Sequence, residues 1–324
     1  MTLWGELVRQ VLFDKQVDDL EYILEIRMIQ FLVFSDLHYD DAEDGDKRID
    51  NILANAKSRQ LDFIVSLGDL CKPIPSNRKV LEKFNSLGVP FYPAIGNHET
   101  DDADLNAITE FYSIKAPYYS AEYGNYKLIF LNTCYLAENG TEKPFYKRNF
   151  KSISALYPIV PMDEIRWLRN ELNDGKKCII FSHHSFANAF PNRGVSNKSM
   201  MQELFRENSV LLCLNGHDHG DSFACVDGVS YMTVNSANYA WLGTQIAGSK
   251  TLSEKYSYLH GMLQYTQAMS AYIEIDDREI RIIGEEGSYL SVTPGDIELH
   301  DYQWNGVSVK PRISSHHITL KTVD

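Results

Sequence analysis

Cysteines, basic residues and long apolar runs are all scarce in this sequence. Its five cysteines among 324 residues include no CxxC pair, so buried free thiols in a reducing cytosol explain them better than a disulfide framework. The longest uncharged stretch, residues 228–249, is rich in Ser, Thr, Asn, Gln and Gly, which makes it too polar to span a bilayer. Charged residues interrupt every apolar run near the N-terminus, so no secretory signal is predicted. We therefore expect a cytoplasmic protein without a membrane partner.

The charge balance excludes further classes of protein. With 44 acidic against 31 basic residues, the formal net charge is −13. This balance argues against a nucleic acid polymer or an anionic membrane as the main partner, because both attract basic surfaces. The hydrophobic content of 44% and the charged content of 23% are those of a globular protein rather than a disordered one.

The chain shows neither internal repeats nor a linker rich in Pro, Gly or Ser, so we predict one main domain. The domain extends over residues 28–290 and is followed by a C-terminal tail, residues 291–324. Residues 1–27 carry an apolar stripe at helical spacing, which predicts an amphipathic helix or extension. Two interpretations of it stay open: the helix packs on the body of the protein, or Met28 is the biological start.

Short apolar strands alternate with helical patterns from Met28 onward. The first strands are predicted at 29–35, 63–67 and 89–95, and the helices that follow them at 49–59, 78–86 and 104–112. This alternation predicts parallel strands with right-handed crossovers, whose carboxyl ends carry the loops of a site. Residues 136–160 are polar and predict a surface insertion. Further strands are predicted at 177–182 and 210–215, and antiparallel strands at 223–226, 229–234, 271–275 and 279–283.

Histidines follow the predicted strands more often than scattered histidines would. Of the ten histidines, those just after predicted strands are His38, His98, His183, His184, His217 and His219. Asp36, Asp69 and Asn97 occupy the same kind of position. Histidine nitrogens and carboxylate or amide oxygens are ligands for divalent cations such as Zn²⁺, Mn²⁺ and Fe²⁺. For the remaining histidines we expect a structural or surface role; they are His260, His300, His316 and His317.

The order of these residues resembles that of the calcineurin-like metallophosphoesterase family. The resemblance covers residues 29–235 and rests on Asp36-Leu37-His38, Gly68-Asp69, Gly96-Asn97-His98-Glu99, His183 and Gly216-His217-Asp218-His219. These match the DxH, GD, GNH[DE], H and GHxH blocks of the family, and five blocks in order are far more specific than any one of them. The resemblance implies an α/β fold of the metallophosphoesterase type, a four-layer αββα sandwich in which two mixed β-sheets are flanked by helices.

The resemblance also implies two divalent metal ions, of Mn, Zn, Fe or Ni, and a role for each matching residue. The first ion would be bound by Asp36, His38, Asp69 and His219. The second would be bound by Asp69, Asn97, His183 and His217, so that Asp69 bridges the two. His98 would be the general acid for the leaving group. The candidate substrate-binding residues are Asn97, His98, His184 and, outside the matched blocks, Arg193.

Charge counting connects this arrangement to a reaction. Two divalent ions bring four positive charges, and two carboxylates with a bridging hydroxide remove three, which leaves a positive pocket for phosphate. The paired ions would activate the bridging hydroxide for attack. We therefore expect a metal-dependent phosphoric ester hydrolase acting on a small phosphomonoester or phosphodiester, with a nucleotide-type diester slightly favoured. An acidic exterior slows bulky polyanions more than small phosphoesters.

Departures from the family pattern narrow this expectation. After Gly68-Asp69 the chain continues Leu70-Cys71-Lys72, so the DRG sequence of the family's protein serine/threonine phosphatases is missing and that alternative is disfavoured. Lys72 stands where purple acid phosphatases have an iron-binding tyrosine. A catalytically silent metal-binding scaffold of the same fold is the other alternative, and the complete ligand set counts against it. The oligomeric state stays open.

Substrate choice is expected to come from three segments outside the metal blocks. They are residues 136–160, 185–194 and 239–265. Their aromatic and basic residues are Lys147, Arg148, Phe186, Phe190, Arg193, Tyr239, Trp241, Tyr256 and Tyr258. Aromatic rings near a phosphate site stack on nucleobases, although they are also common core residues.

Overall fold

Strands form where apolar residues alternate or run together, and helices form where apolar residues recur with helical spacing. The computed structural model describes residues 28–151, 154–190 and 192–320, so the helix predicted within residues 1–27 lies outside the described residues. The strands are β1 (Ile29–Phe34), β2 (Phe63–Ser66), β3 (Phe91–Pro93), β4 (Tyr119–Tyr123), β5 (Tyr126–Phe130), β6 (Tyr135–Glu138), β7 (Thr141–Pro144), β8 (Leu156–Ile159), β9 (Lys177–Ser182), β10 (Val210–Asn215), β11 (Ser222–Val226), β12 (Val229–Thr233), β13 (Tyr239–Trp241), β14 (Met262–Gln264), β15 (Ala271–Ile275), β16 (Glu279–Ile283), β17 (Gln303–Trp304), β18 (Val307–Ser308) and β19 (His316–Thr319). The helices are α1 (Gly45–Lys57), α2 (Arg78–Asn85), α3 (Leu105–Tyr112), α4 (Met162–Glu171), α5 (Lys198–Arg206), α6 (Gly243–Ala247) and α7 (Lys250–Tyr256).

Two mixed sheets of six strands each form the body of the protein. The first has the order β19-β16-β15-β1-β2-β3, and the second the order β11-β12-β10-β9-β5-β4. In the first sheet β1, β2 and β3 are parallel, with Phe31 opposite Phe63, whereas β15 pairs antiparallel to β1. In the second sheet β12, β10, β9 and β5 are parallel and the edge strands are antiparallel. The prediction of an antiparallel strand at 229–234 is therefore confirmed for the pairing with β11, but it is wrong for the pairing with β10, which is parallel.

Alternate side chains of the central strands face two different layers. In β1, Phe31 and Val33 lie between the sheets, where the Phe31 ring contacts that of Phe181 with centroids 5.9 Å apart. Leu32 and Phe34 face the opposite way and pack with helices α1, α2 and α3. The second sheet is covered by α4 and α5 in the same manner. Each large apolar side chain buried in this way stabilises the fold by about 1.5–3 kcal/mol, and the predicted four-layer αββα arrangement is confirmed.

The predicted surface insertion has its own small sheet. Strands β7, β6 and β8 pair in that order, all antiparallel. Cys134, Leu136 and Phe145 form a separate apolar cluster beneath it. Cys134 Sγ lies 3.5 Å from the carbonyl oxygen of Ile95, and the ring centroids of Phe145 and His184 are 6.1 Å apart, so the cluster adjoins the loops of the candidate site.

Residues after β16 return to the body of the protein. Ile297, Val309 and Ile313 belong to the apolar cluster between the two sheets, and β19 extends the first sheet by pairing with β16. The buried carboxylate of Asp221 accepts hydrogen bonds from the backbone N–H (3.0 Å) and the hydroxyl (2.8 Å) of Ser314. The domain boundaries at residues 27 and 290 stay predictions.

Neither a helix able to span a membrane nor a disulfide bond occurs in the part of the chain that the structure describes. None of the helices within the described ranges is long and apolar enough to cross a lipid bilayer. The cysteines are all free, and only Cys225 is exposed. Burial raises the pKa values of the Cys134 and Cys213 thiols well above the ordinary range, which keeps them protonated and unreactive.

Candidate metal centre

The candidate ligands lie in loops at the carboxyl ends of strands. β1, β2 and β3 lead to Asp36, His38, Asp69 and Asn97, while β9 and β10 lead to His183, His217 and His219. Parallel neighbours end at the same edge of a sheet, and the two sheets pack face to face, so the structure brings all seven residues together. Backbone hydrogen bonds tie the loops to one another, for example from the N–H of Gly216 to the carbonyl of His183 (3.1 Å).

These loops have an unusual backbone conformation. Positive φ angles occur at Asp36 (51°), His38 (47°), Asp69 (53°), His217 (65°) and His219 (47°). A non-glycine residue in this region costs about 1–3 kcal/mol and persists only where its surroundings determine it. The loops are also closely packed: a Cβ on Gly96 would overlap the Asp69 carboxylate, and one on Gly216 would overlap the side chains of Ser35 and Asp36. Five of the fifteen non-glycine residues with positive φ in the described part of the chain are thus proposed ligands.

One group of donor atoms is formed by Asp36, His38 and His219. The Nε2 atoms of the two histidines lie 3.2 Å apart. Asp36 Oδ1 is 3.4 Å from His219 Nε2 and 3.9 Å from His38 Nε2. Asp36 Oδ2 accepts hydrogen bonds from the Ser35 hydroxyl and from the backbone N–H of His217 (2.9 Å). These two bonds fix the carboxylate so that its other oxygen points at the two histidines.

A second group is formed by Asn97, His183 and His217. His183 Nε2 lies 3.0 Å from Asn97 Oδ1 and 3.2 Å from His217 Nδ1. The Asn97 and His183 side chains are buried. An amide oxygen and an imidazole nitrogen thus both lie next to His183 Nε2, and donors of these types suit a divalent cation.

Asp69 lies between the two groups. Its Oδ2 is 3.3 Å from His183 Nε2 and 3.7 Å from His38 Nε2, so one carboxylate oxygen faces both. Its Oδ1 accepts a hydrogen bond from the backbone N–H of His98 (2.8 Å), which holds the carboxylate in this orientation.

Two histidines are oriented from behind by backbone carbonyls. His183 Nδ1 lies 2.9 Å from the carbonyl of Leu67, and His219 Nδ1 lies 2.8 Å from the carbonyl of Tyr239. A carbonyl can only accept, so each Nδ1 carries a proton and each Nε2 keeps its lone pair for the site. This is the arrangement that orients histidine ligands in metal proteins.

Burial and neighbouring charges shift the pKa values of these groups. Burial raises the pKa of Asp36, but His219 and His183 outweigh it and lower it to about 2. For Asp69, too, His183 and His98 outweigh burial and hold the pKa well below its usual value. Burial lowers the pKa of His38 to about 3 and that of His217 well below its usual value. Burial also lowers that of His183, but Asp69 raises it to about 9, and a bound cation would take the place of that proton.

The donor set fits divalent cations. Asp36 and Asp69 are almost completely buried, and buried carboxylates require compensating positive charge. Asp36 Oδ1 accepts no hydrogen bond from any described residue, although it faces the site. Four sets of three side chains each offer donor atoms within 4.8 Å of one another: Asp36, His38 and His219; Asp36, Asp69 and His183; His38, Asp69 and His98; and His183, His184 and His217. Mixed imidazole and carboxylate donors suit ions such as Zn²⁺, Mn²⁺ and Fe²⁺.

Glu99 organises the loops beneath the donor atoms. Its carboxylate accepts hydrogen bonds from the backbone N–H groups of Asp69 (3.0 Å), Leu70 (2.8 Å) and Gly96 (3.0 Å), and from the hydroxyl of Tyr112 (2.8 Å). Burial and the charge of Asp69 raise the pKa of Glu99 to about 7. One buried carboxylate thus joins the loops after β2 and β3.

Replacing Glu99 by glutamine should loosen these loops. Glutamine keeps one acceptor oxygen but turns an amide NH₂ towards a backbone N–H, so a buried donor loses its partner. We expect the free energy of unfolding to fall by about 1–3 kcal/mol and the metal affinity to fall by about 10–100-fold. Urea unfolding and calorimetric titration with Mn²⁺ measure the two effects. Glu254→Gln, at an exposed helical position, is the matched control, and a Glu99→Gln protein that behaves like this control would contradict the prediction.

His184 lies beside the second group, and one of its ring nitrogens is within 4.8 Å of donor atoms of His183 and His217. It is buried, its Nδ1 is 2.7 Å from the hydroxyl of Thr133, and its ring lies 4.2 Å from that of His217 between centroids. Burial and the neighbouring His183 lower its pKa well below the usual value. Its ring therefore supports His217, and a direct contact with substrate stays a prediction.

Arg193 is anchored beside the donor atoms. Its Nε lies 3.2 Å from Asp218 Oδ1, and its Nη2 donates to the carbonyl of His217 (2.8 Å). Asp218 is itself buried and also accepts from the amide of Asn188 (2.8 Å). The guanidinium is thereby held at the edge of an open cavity, where it is a candidate for binding phosphate.

An open cavity of about 710 Å³ reaches four of the proposed ligands, Asp69, Asn97, His217 and His219. The walls beyond them include Arg148, Phe150, Tyr239, Trp241, His260 and Met262. Of the aromatic and basic residues noted in the sequence, Arg148, Arg193, Tyr239 and Trp241 line this cavity. Phe186 is instead a core residue, Phe190 lines a separate groove, and Tyr258 is exposed.

Sequence reasoning missed two residues of this cavity. His260, for which a structural or surface role was expected, lies on its wall. Asp101, three residues after His98, lies 2.9 Å from His98 Nδ1 through its Oδ2. Partial burial lowers the pKa of His98, but Asp69 and Asp101 raise it to about 9. The acidic residue three positions from His98 was visible in the sequence, whereas no signal marks His260.

The fold and the site define a class of protein: an αββα sandwich with a cluster of side chains that could bind metal ions. A family model described as calcineurin-like phosphoesterase matches residues 29–221. The chain therefore belongs to the calcineurin-like phosphoesterase family, whose members are metal-dependent phosphoester hydrolases. No curated protein sequence matches the chain significantly.

Solved structures show the same fold at low sequence identity. A dimetal phosphatase from Danio rerio is similar with 14% identity and a TM-score of 0.57, covering 90% of this chain and 98% of its own. GAP50, described as the anchor in the inner membrane complex of Plasmodium, has 13% identity and a TM-score of 0.56, covering 91% and 90%. Purple acid phosphatase PPD1 from yellow lupin has 12% identity and a TM-score of 0.50, covering 89% and 54%. At these identities the likeness concerns the fold.

Proposed function

We propose that this protein hydrolyses a small phosphoester with two divalent ions bound side by side. Asp36, His38 and His219 would hold one ion, and Asn97, His183 and His217 the other, with Asp69 shared between them. The observation that carries this proposal is the position of Asp69 Oδ2, which faces histidines of both groups at 3.3 and 3.7 Å. A single ion would leave one of the two groups without a cation.

The residues balance the charge of such a centre. Bound divalent ions supply positive charge that stabilises developing negative charge on phosphoryl oxygens and lower the pKa of a bound water. Asp36 and Asp69 contribute two negative charges, while Asn97 and the neutral imidazoles contribute ligand atoms without charge. The pocket therefore keeps a positive balance in a protein whose formal net charge is −13. A substrate phosphate is attracted to this positive region and not to the acidic exterior.

His98 and Arg193 are placed for complementary tasks. His98 lines the cavity, and its Nδ1 is engaged by Asp101, which leaves Nε2 for the substrate. We assign it the donation of a proton to the leaving alkoxide. Arg193 lies on the side of His217 and would contact the phosphoryl oxygens together with the Asn97 amide.

The cavity supports a substrate larger than inorganic phosphate. Its volume of about 710 Å³ leaves space beside the phosphoryl group, and Phe150, Tyr239 and Trp241 offer aromatic surface in that space. Aromatic surface next to a phosphate site favours a ligand with a flat ring. We therefore favour a nucleotide-type phosphodiester over a small aliphatic monoester. The free thiols support a cytoplasmic location.

Hydrolysis with defined metals tests the proposal. The purified protein is treated with a chelator and reconstituted with Mn²⁺, Zn²⁺, Fe²⁺ or Ni²⁺. It is then assayed with 4-nitrophenyl phosphate and bis(4-nitrophenyl) phosphate. We expect turnover with at least one kind of ion, and about two ions bound per chain at saturation. In Asn97→Ala we expect a strong loss of turnover and of bound metal. His300→Ala, which removes an exposed histidine outside the cavity, should behave like the wild type.

The alternatives correspond to other outcomes of the same assay. Metal binding without turnover of either ester would indicate the catalytically silent scaffold. With a phosphoserine peptide added as a third substrate, turnover of the peptide but of neither nitrophenyl ester would indicate a protein phosphatase, which the absence of the DRG sequence disfavours. Binding of one ion per chain with full activity would overturn the paired-ion proposal.

A further inference from the structure

The tip of the insertion contacts the loop that carries His98. The guanidinium of Arg148 donates two parallel hydrogen bonds to the Asp101 carboxylate, from Nε to Oδ1 (2.9 Å) and from Nη2 to Oδ2 (2.6 Å). Asp101 Oδ2 also lies 2.9 Å from His98 Nδ1. We propose that Arg148, which the insertion supplies, is a positioning residue that holds Asp101 against His98. The proposal rests on the proposed role of His98 as general acid.

The chain of contacts restricts His98 in two ways. An Asp101 carboxylate that accepts from Nδ1 keeps the proton on that nitrogen and directs Nε2 into the cavity. Arg148 engages both oxygens of Asp101, so the carboxylate cannot rotate away from the imidazole. Bidentate pairs of this kind are stronger and more directional than single hydrogen bonds. The orientation of His98 therefore depends on a residue 47 positions away from Asp101 in sequence.

Exposure distinguishes this pair from an ordinary surface ion pair. Fully exposed pairs contribute little, because water screens them and the side chains lose entropy. The Asp101 side chain is only 11% exposed, although Arg148 is 51% exposed. Arg148 covers the outer side of Asp101, and His98 covers the inner side. The carboxylate thus exchanges charged hydrogen bonds with two partners while it is largely removed from water.

The backbone of the tip is built for this contact. Lys147 and Arg148 both have positive φ angles, 49° and 56°, which two successive non-glycine residues adopt only under constraint. The N–H of Lys147 donates to the carbonyl of Thr100 (3.1 Å), so the tip is bonded to the same loop as His98. The side chain of Asn149 closes the turn by donating to the carbonyl of Pro144 (2.9 Å). A freely solvated arginine would need none of these restraints.

The contrast between good and poor leaving groups tests the proposal. A general acid matters when the leaving group is a poor one and matters little for 4-nitrophenolate. The metal-reconstituted protein is assayed with 4-nitrophenyl phosphate and phenyl phosphate, and with the methyl diester of each. We expect Arg148→Ala to lower kcat for the phenyl esters by about 10–100-fold, to change it only slightly for the 4-nitrophenyl esters, and to leave KM unchanged. Arg148→Gln should give the same pattern.

Matched variants complete the experiment. Lys143→Ala removes a positive charge from an exposed strand of the same insertion and should have no effect. Asp101→Asn should reproduce the leaving-group dependence of Arg148→Ala. In a background of His98→Asn, neither substitution should lower kcat further, because the positioned group is already gone.

The outcomes separate this inference from the proposed function. Equal loss on both leaving groups, a change confined to KM, or an additive loss in the His98→Asn background would overturn the positioning role. In each of these cases hydrolysis by the wild type would still support the proposed function. If the wild type turned over none of the four esters with any metal, the proposed function itself would fail.

Discussion

Asp69→Asn should lower kcat/KM for the best phosphoester substrate by at least about 10³-fold, because several kcal/mol of metal-supplied stabilisation depends on this carboxylate. Asp69 Oδ2 faces His183 and His38 at 3.3 and 3.7 Å, so it is a donor that both groups share. The asparagine is isosteric but neutral, and its NH₂ group would face either the N–H of His98 or the histidine nitrogens. In both orientations the site loses a ligand and a negative charge.

Metal content and activity should be measured on the same sample. After reconstitution and gel filtration, we expect Asp69→Asn to bind fewer ions per chain than the wild type, as judged by elemental analysis. Asp50→Asn changes an exposed carboxylate that contacts Lys83 and is the control for the substitution itself. Full metal content together with full activity in Asp69→Asn would exclude a bridging role for this residue.

His98→Asn should lower kcat for esters with poor leaving groups by about 10²–10⁴-fold, the range for general acid catalysis. One ring nitrogen of His98 lies within 4.8 Å of donor atoms of His38 and Asp69, but its Nδ1 is engaged by Asp101 and our proposal does not use it as a ligand, so the metal content should remain that of the wild type. This separation of metal content from activity distinguishes His98 from every proposed ligand.

The matched control is His317→Asn, at an exposed histidine that contacts Glu279. The assay compares phenyl and 4-nitrophenyl esters at saturating substrate, and elemental analysis follows on the same preparations. An unchanged kcat for the phenyl ester would remove His98 from the reaction, and a loss of bound metal would reassign it to the metal centre.

Much of the fold could be predicted because its signals are local. The run of apolar residues in Ile29–Phe34, the alternation of strands and helices after it, and the absence of a linker all follow from neighbouring residues. The predicted strands at 177–182, 210–215, 271–275 and 279–283 coincide with β9, β10, β15 and β16. Parallel strands then require that their carboxyl ends share an edge, which is how Asp36 and Asp69, after the neighbouring strands β1 and β2, could be expected to meet.

The remainder depended on contacts between distant segments. The sequence showed the insertion as a polar stretch. It did not show that the tip of the insertion forms hydrogen bonds with Thr100 and Asp101. The sequence showed apolar residues after position 290, namely Ile297, Val309 and Ile313. It did not show that these residues enter the core between the sheets. The spacing of apolar residues along strands and helices does not predict such contacts, because they are set by packing and not by local geometry.

For the candidate site, too, some properties could be predicted from the sequence and others depend on the tertiary structure. The sequence by itself determined which side chains stand at the strand ends and that they have the chemistry of metal ligands, because both properties are local; their assignment as ligands stays a prediction. Only the tertiary structure decided that Asp69 Oδ2 faces both groups, that Glu99 joins two loops, and that Arg148 holds Asp101 against His98. Those facts depend on distances between loops of different strands, and such distances exist only once the two sheets have packed.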